Sequence, residues 1–177
     1  MPVYHTAAYE FDNADDMADA FCGRTDAPDY SRVMNPTVTF FENKVKELTG
    51  AAEVIALNSG MAAISNTLFS IAAAGKNIIT SRHLFGNTYS FIAGTLSRFG
   101  VEPRLCDLTD IGAVEKVVDS NTCCIYVEII TNPQMEVADL QALSRIVHER
   151  GIPLIVDTTL IPFTEFDSHS LGVDIEV

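Results

Sequence analysis

The sequence predicts an α/β fold: a mostly parallel sheet with helices on both faces. Short runs rich in Ile, Val and Leu recur along the chain, as strands buried on both faces do. Segments with apolar residues at helical spacing separate them, and that alternation marks parallel strands joined by crossover helices. Hydrophobic residues make up 47% and charged residues 20% of the 177 residues, enough for a sizeable core.

The first 50 residues read differently from the rest. "DNADDMADAFCG" predicts a short helix capped by Asp12 or Asn13. "DYSRVMNPTV" reads as a polar loop, and "TVTFFENKVKELTG" as a helix burying Phe41, Val45 and Leu48. Residues 1–50 thus form an arm too short for its own core, expected to pack on something else, such as another subunit. Residues 51–177 form the α/β domain. Its predicted strands cover 53–57, 77–80, 101–108, 123–130, 153–157 and the terminal "VDIEV". The predicted helices cover 60–75, 87–100, 111–120 and 137–151. In the last, Leu140, Leu143, Ile146 and Val147 share one face, and Gly151 supplies the stop.

Charge and targeting narrow the function classes. A formal net charge of −13 argues against a nucleic-acid or anionic-membrane surface, although a local anion pocket stays open. The N-terminal stretch lacks a basic region followed by an apolar one, and no apolar run is long enough to span a membrane. A soluble, cytoplasmic protein is expected. Cys22, Cys106, Cys123 and Cys124 show no metal-type spacing. They read as free buried thiols of a reducing compartment, with Cys123 and Cys124 facing opposite sides of a strand.

In open α/β sheets, ligands collect at the carboxyl ends of the strands. In "LNSGMAA" a strand gives way to a helix at Asn58, Ser59, Gly60 and Met61. Free N–H groups at such a helix start suit a phosphate, and the Ser59 hydroxyl adds a donor; the structural alternative is a plain Ser-Gly cap. Asp157 closes the run "PLIVD", where a carboxylate is costly to bury unpaired. It is either a local cap or the partner of a buried cation such as a protonated ring nitrogen. Asn132 is a turn residue before Pro133 or a donor to a ligand. Phe85 stacks on a flat ring or plugs the core.

Taken in order, "YSRVMNPT" (30–37), "NSGMAA" (58–63), "LFGNTY" (84–89), "EIITNP" (128–133) and "VDTT" (156–159) resemble the Cys/Met-metabolism enzymes that use pyridoxal 5′-phosphate. The resemblance runs from about Pro2 to Val177. It implies the large domain of a fold-type I, aminotransferase-like enzyme. The Gly60 and Met61 amides, with Ser59, would hold the cofactor phosphate. Tyr30 and Arg32 would reach that phosphate from a neighbouring subunit, Arg being a permanently charged, forked donor. Phe85 would lie on the pyridine ring, Asn132 would donate to its 3′ oxygen, and Asp157 would pair with the ring N–H, keeping the ring an electron sink.

The sequence also departs from that pattern. Phe85 in "FGNT" stands where most members have Tyr in "YGGT", so stacking is kept but the phenol is not. "EIITNP" replaces "ESPTNP", and Thr158 in "VDTTL" stands where Asn is common. The family's "GADIVVHSxTK" matches Gly172 to Val177 and continues to the Schiff-base lysine, which is therefore expected just beyond Val177. Lys44, Lys46, Lys76 and Lys116 fit surface positions, so no catalytic residue is assigned within the chain, and alone it is expected to be inactive.

The resemblance implies an O-acetylhomoserine sulfhydrylase type of reaction: γ-replacement of an O-acylhomoserine by sulfide or a thiol, giving homocysteine. The alternatives are cystathionine γ-synthase, a cystathionine or methionine γ-lyase, or a non-catalytic fragment that binds a partner or phosphate. A nucleotide-binding domain is disfavoured, because no GxGxxG or P-loop follows the first strand. The intact protein is expected to be a homo-oligomer, a dimer of dimers.

Overall fold

A computed structural model describes residues 2–177 and divides into two compact units, one ending at Ala56 and the other running Leu57–Val177. The second carries a sheet of five parallel strands among the described residues, in the order β2-β1-β3-β4-β5. The strands are β1 (Asn77–Ser81), β2 (Glu102–Cys106), β3 (Thr122–Glu128), β4 (Leu154–Asp157) and β5 (Ile175–Glu176). Side chains alternate across a strand, and here the alternation sorts two cores. Ile79, Ile125, Val127, Leu154 and Val156 face α5 (Ile111–Val117) and α6 (Leu140–His148). Ile78, Cys124, Tyr126 and Ile155 face α3 (Gly60–Ile71) and a helix that starts as α4 (Gly86–Tyr89) and continues in π form over Ser90–Leu96. The expected α/β architecture, with helices on both faces, is present.

The chain runs from β1 outward to β2, then returns past β1 to β3. The segments leaving β1 and β3 therefore diverge to opposite faces, which opens a crevice at their carboxyl ends.

Helix boundaries follow side-chain caps. Asn13, rather than Asp12, caps α1 (Ala14–Phe21) by accepting Asp16 N–H. Asn35 caps α2 (Pro36–Thr49), with Pro36 at the position where a missing N–H costs nothing. The helix predicted over 137–151 starts only at Leu140, because Asp139 caps it and Val137 pairs in an antiparallel bridge with Ile130.

Three expectations fail for physical reasons. Residues 53–57 form no strand: Ala56 N–H donates to the Glu42 carboxylate at 2.8 Å, Glu53 pairs with Lys46, and Ile55 is 75% exposed. An apolar pattern without a neighbouring ladder does not make a strand. Phe41 and Leu48 are 55% and 66% exposed instead of buried. Ala20 is the only buried hydrophobic residue described in that unit, which holds too little chain to enclose α2 by itself. Cys123 and Cys124 do not face opposite sides. The register slips between Asn77 and Ile78, Cys123 falls in the irregularity, and both pack on the α3-side cluster. All four thiols are free, but Cys22 is exposed.

At the amino ends of the strands, Asp119 ties β1 and β2 to the turn before β3. It pairs with Arg104 at 2.7 Å and accepts from the Asn121 N–H and the Asn77 amide. The Arg104 bond, then those donors, hold its pKa down at about 2. A depressed carboxyl pKa contributes stability above the unfolded value that is lost as pH falls through the folded one. The Asp119 carboxyl carbon should therefore titrate near pH 2 by NMR, and Arg104→Met should raise that midpoint toward 3.8.

Candidate functional site

The residues singled out in the sequence divide between the two units. In the second unit, α3 opens with Ser59 as its cap: Ser59 Oγ accepts Ala62 N–H at 3.1 Å and its carbonyl accepts Ala63 N–H at 3.0 Å. The Gly60 and Met61 N–H groups are left without a protein acceptor among the described residues, at the positive end of the helix dipole. Apart from its chain neighbours and its own helix backbone, no atom among the described residues lies within 4 Å of where a Gly60 side chain would begin. Ser59 thus performs the structural capping role and still has its hydroxyl hydrogen to donate.

Phe85 ends the segment leaving β1, at the start of α4. Its ring is 50% exposed, so it does not plug the core. Its main-chain N–H donates to Glu128 Oε1 at 2.6 Å, a link that crosses the β1/β3 crevice. Asn132 itself is exposed, and its side-chain amide has no protein partner among the described residues. Burial, opposed by the Phe85 N–H and supplemented by the charge of Asp157, raises the Glu128 pKa. Thr88, one turn into α4, donates to Met61 Sδ at 3.8 Å and so ties this loop to the start of α3.

Asp157 closes β4, directly across the ladder from Glu128. Its Oδ1 accepts the N–H and hydroxyl of Thr159, at 2.9 and 2.6 Å, in a local turn. Its Oδ2 accepts the Tyr126 hydroxyl at 3.1 Å. A carboxylate has about four acceptor positions, so one remains on Oδ2. The local-cap reading is therefore correct for one oxygen only. Burial first, then the adjacent Asp157, pushes the Tyr126 phenol well above its ordinary value, so it stays a donor at neutral pH.

Tyr126, Glu128 and Thr159 were missed as site residues in the sequence. The signal was visible for two of them: a phenol and a carboxylate inside the otherwise apolar run "CCIYVEII" need partners when buried.

In the first unit, Ser31 and Asn35 fold the "YSRVMNPT" turn. Ser31 N–H donates to Ala7 O, and Asn35 Nδ2 donates to Ser31 Oγ at 2.9 Å and Tyr4 O at 3.2 Å. Tyr30 and Arg32 point outward, with the Arg32 guanidinium carbon 5.3 Å from the Tyr30 ring centroid. Arg32 has no carboxylate partner among the described residues.

A separate apolar cleft of about 350 Å³ lies on the α6 face, lined by Ile130, Val137, Ile161 and Phe166 among others. It holds none of the site residues.

Over residues 1–177 the chain matches the family described as Cys/Met metabolism PLP-dependent enzymes. The chain belongs to that family. Its cofactor is pyridoxal phosphate. The structure of an O-acetylhomoserine sulfhydrylase of Wolinella succinogenes superposes with a TM-score of 0.78 at 50% identity, over 80% of this chain and 40% of that one. A Campylobacter jejuni crystal structure described as an O-acetylhomoserine (thiol)-lyase, holding a pyridoxyl-lysine monophosphate, gives a TM-score of 0.93 at 34% identity, over 99% and 43%. L-methionine γ-lyase of Fusobacterium nucleatum is 36% identical over 100% of this chain and 45% of its own length. The chain thus spans less than half the length of the curated relatives it matches.

The residues of this Cys/Met-metabolism chain fit the cofactor. An open helix start with two free N–H groups suits a phosphate. A half-exposed ring, an unpartnered amide and a nearly buried carboxylate with a spare lone pair suit a protonated heteroaromatic ring. In the second unit Lys76 precedes β1 and Lys116 lies in α5, both away from the strands' carboxyl ends; in the first unit Lys44 and Lys46 pair with Glu47 and Glu53.

Proposed function

We propose that this chain is the cofactor-cradling part of an O-acetylhomoserine sulfhydrylase, a soluble cytoplasmic enzyme that replaces the γ-acyloxy group of an O-acylhomoserine with sulfide to give homocysteine. The observation that carries the cradle is Asp157, nearly buried at the end of β4 with an acceptor position to spare. Bound there, pyridoxal phosphate supplies a ring that withdraws electrons from a substrate carbanion. Asp157 keeps the ring-nitrogen proton in place through its charge, and Tyr126 and Thr159 fix the direction of its carboxylate. Gly60, Met61 and Ser59 take the phosphate, Phe85 covers one ring face, and Asn132 donates to the ring oxygen.

Residues 1–50 serve as an arm, with Tyr30 and Arg32 reaching the phosphate of a neighbouring subunit in a dimer of dimers, and residues 51–177 form the cofactor domain. The unpaired, outward Arg32 supports that reading. Arg32→Ala in the oligomer should weaken cofactor binding by roughly 2 kcal/mol, the scale of one charge-assisted hydrogen bond. Equilibrium dialysis at a fixed salt concentration checks it, and unchanged affinity contradicts the placement.

The γ-lyases are the second reading, supported by a relative matching the whole chain. Phe85 favours the sulfhydrylase, because it stacks without offering a phenol for proton transfer. Product analysis of the protein carrying this chain separates the two. Sulfide-dependent homocysteine formation from O-acetylhomoserine is expected; 2-oxo acid release from methionine without sulfide would assign it to the lyases.

A further inference from the structure

We propose that Glu176 is a positioning residue: its carboxylate clamps the turn after β4 and so fixes the direction in which Asp157 presents its spare acceptor position. This rests on the cofactor reading above and deepens it. Glu176 lies on β5, beside β4 in the sheet. Its Oε1 accepts the Thr158 hydroxyl at 2.7 Å, and its Oε2 accepts the Ser168 hydroxyl at 2.5 Å. One hydroxyl belongs to the turn leaving β4, the other to the segment that returns the chain toward β5. Both donor residues are buried, Thr158 to 7% and Ser168 to 8% exposure. A buried hydroxyl without a partner is costly, and this one carboxylate satisfies two of them.

Thr158 directly follows Asp157, and each of its polar groups is engaged. Its N–H donates to Val177 O at 3.0 Å, its carbonyl accepts Ile161 N–H at 2.8 Å, and its hydroxyl is held by Glu176. Thr159, next along, supplies the N–H and hydroxyl that hold Asp157 Oδ1. Thr159 is itself exposed, so water competes for those donors, and the aim of Asp157 depends on Thr158 being fixed. Both partners depart from the pattern described above: Thr158 stands where Asn is common, and Glu176 where "GADIVVHSxTK" has Val. A valine at 176 accepts neither hydroxyl. A glutamine keeps both bonds, because its oxygen accepts from one hydroxyl and its amide donates to the other.

The test uses Glu176→Val and Glu176→Gln in the 177-residue chain, with Glu176→Val also combined with Asp157→Asn. The probe is pyridoxamine 5′-phosphate, whose amine cannot modify surface lysines as an aldehyde can. Glu176→Val should speed hydrogen exchange at the Thr159 amide and move the bound probe's ring 15N signal toward its deprotonated value. Probe affinity should fall about fivefold with Glu176→Val, but less than about twofold when Asp157 is already Asn, because the effect acts through that carboxylate. Glu176→Gln should restore the parent values of all three.

Equal losses in the two backgrounds, unchanged affinity, or a Gln variant as impaired as the Val variant overturns the positioning role. If Glu176→Val does not fold, Thr158→Val, which removes the hydroxyl at nearly constant shape, takes its place with the same expectations. Absence of saturable binding by the unsubstituted chain overturns the cofactor reading instead, and the same titration shows it.

Discussion

Asp157→Asn is expected to weaken pyridoxamine 5′-phosphate binding by roughly 10- to 100-fold while leaving the fold intact. The magnitude follows from the chemistry of the position. A hydrogen bond to a charged partner contributes about 1.5–3 kcal/mol, and burial of Asp157 to 9% exposure limits solvent screening of it. Asparagine retains an oxygen for the Thr159 N–H and hydroxyl, and its new amide can donate to the Tyr126 oxygen, so the local turn survives. What it cannot supply is a negative charge for the ring N–H. The bound ligand's ring nitrogen should accordingly lose its proton at a lower pH, visible as a 15N shift. Tyr126→Phe removes only a donor that orients the carboxylate, and should cost a smaller, several-fold loss. Equal affinity of the Asn variant and the parent chain would remove Asp157 from the site.

Gly172→Ala should be the most damaging small substitution. Gly172 has φ +85°, a conformation that L side chains rarely adopt, and a methyl there would lie 2.5 Å from Ser144 Oγ and 2.6 Å from Ser144 Cβ. Both atoms belong to a residue held in α6, where Ser144 is buried. Neither can withdraw without moving the helix or the turn that delivers the chain to β5. Strain of this kind and overpacking each cost about 1–3 kcal/mol, so a combined loss of roughly 3 kcal/mol is expected in urea unfolding. Adding Ser144→Gly should recover the steric part and leave the backbone part. A loss below about 0.5 kcal/mol, the range of ordinary surface changes, would show that the turn yields easily.

The strands most legible in the sequence were those whose residues all point into one core or the other. "NIIT" and "PLIVD" lie in the interior of the sheet, so composition alone marks them. "EVIAL" has the same look, but whether a strand forms depends on a neighbouring ladder, which a local pattern does not encode. α2 illustrates the converse. Its apolar positions are helical, yet Phe41 and Leu48 stay exposed, because burial is a property of the surroundings rather than of the helix.

At the candidate site, the sequence singles out Ser59, Gly60, Phe85, Asn132 and Asp157 as strand ends and helix starts with unusual chemistry. Their support was not legible there. That Glu128 reaches Phe85, 43 residues earlier, and that Tyr126 reaches Asp157 follow from the β1–β3–β4 strand order, which no single segment reveals. The slip that places Cys123 beside Cys124 is likewise a matter of pairing between strands.

The central claim is that the start of α3 and the carboxyl ends of the strands form one cradle for a phosphorylated pyridine. Mapping backbone amide shifts while pyridoxamine 5′-phosphate is titrated into the 177-residue chain tests it most directly. The account predicts saturable shifts at Gly60, Met61, Phe85, Asn132, Thr158 and Thr159. Shifts confined to the apolar cleft around Val137, Ile161 and Phe166, or no saturable shifts, would contradict it.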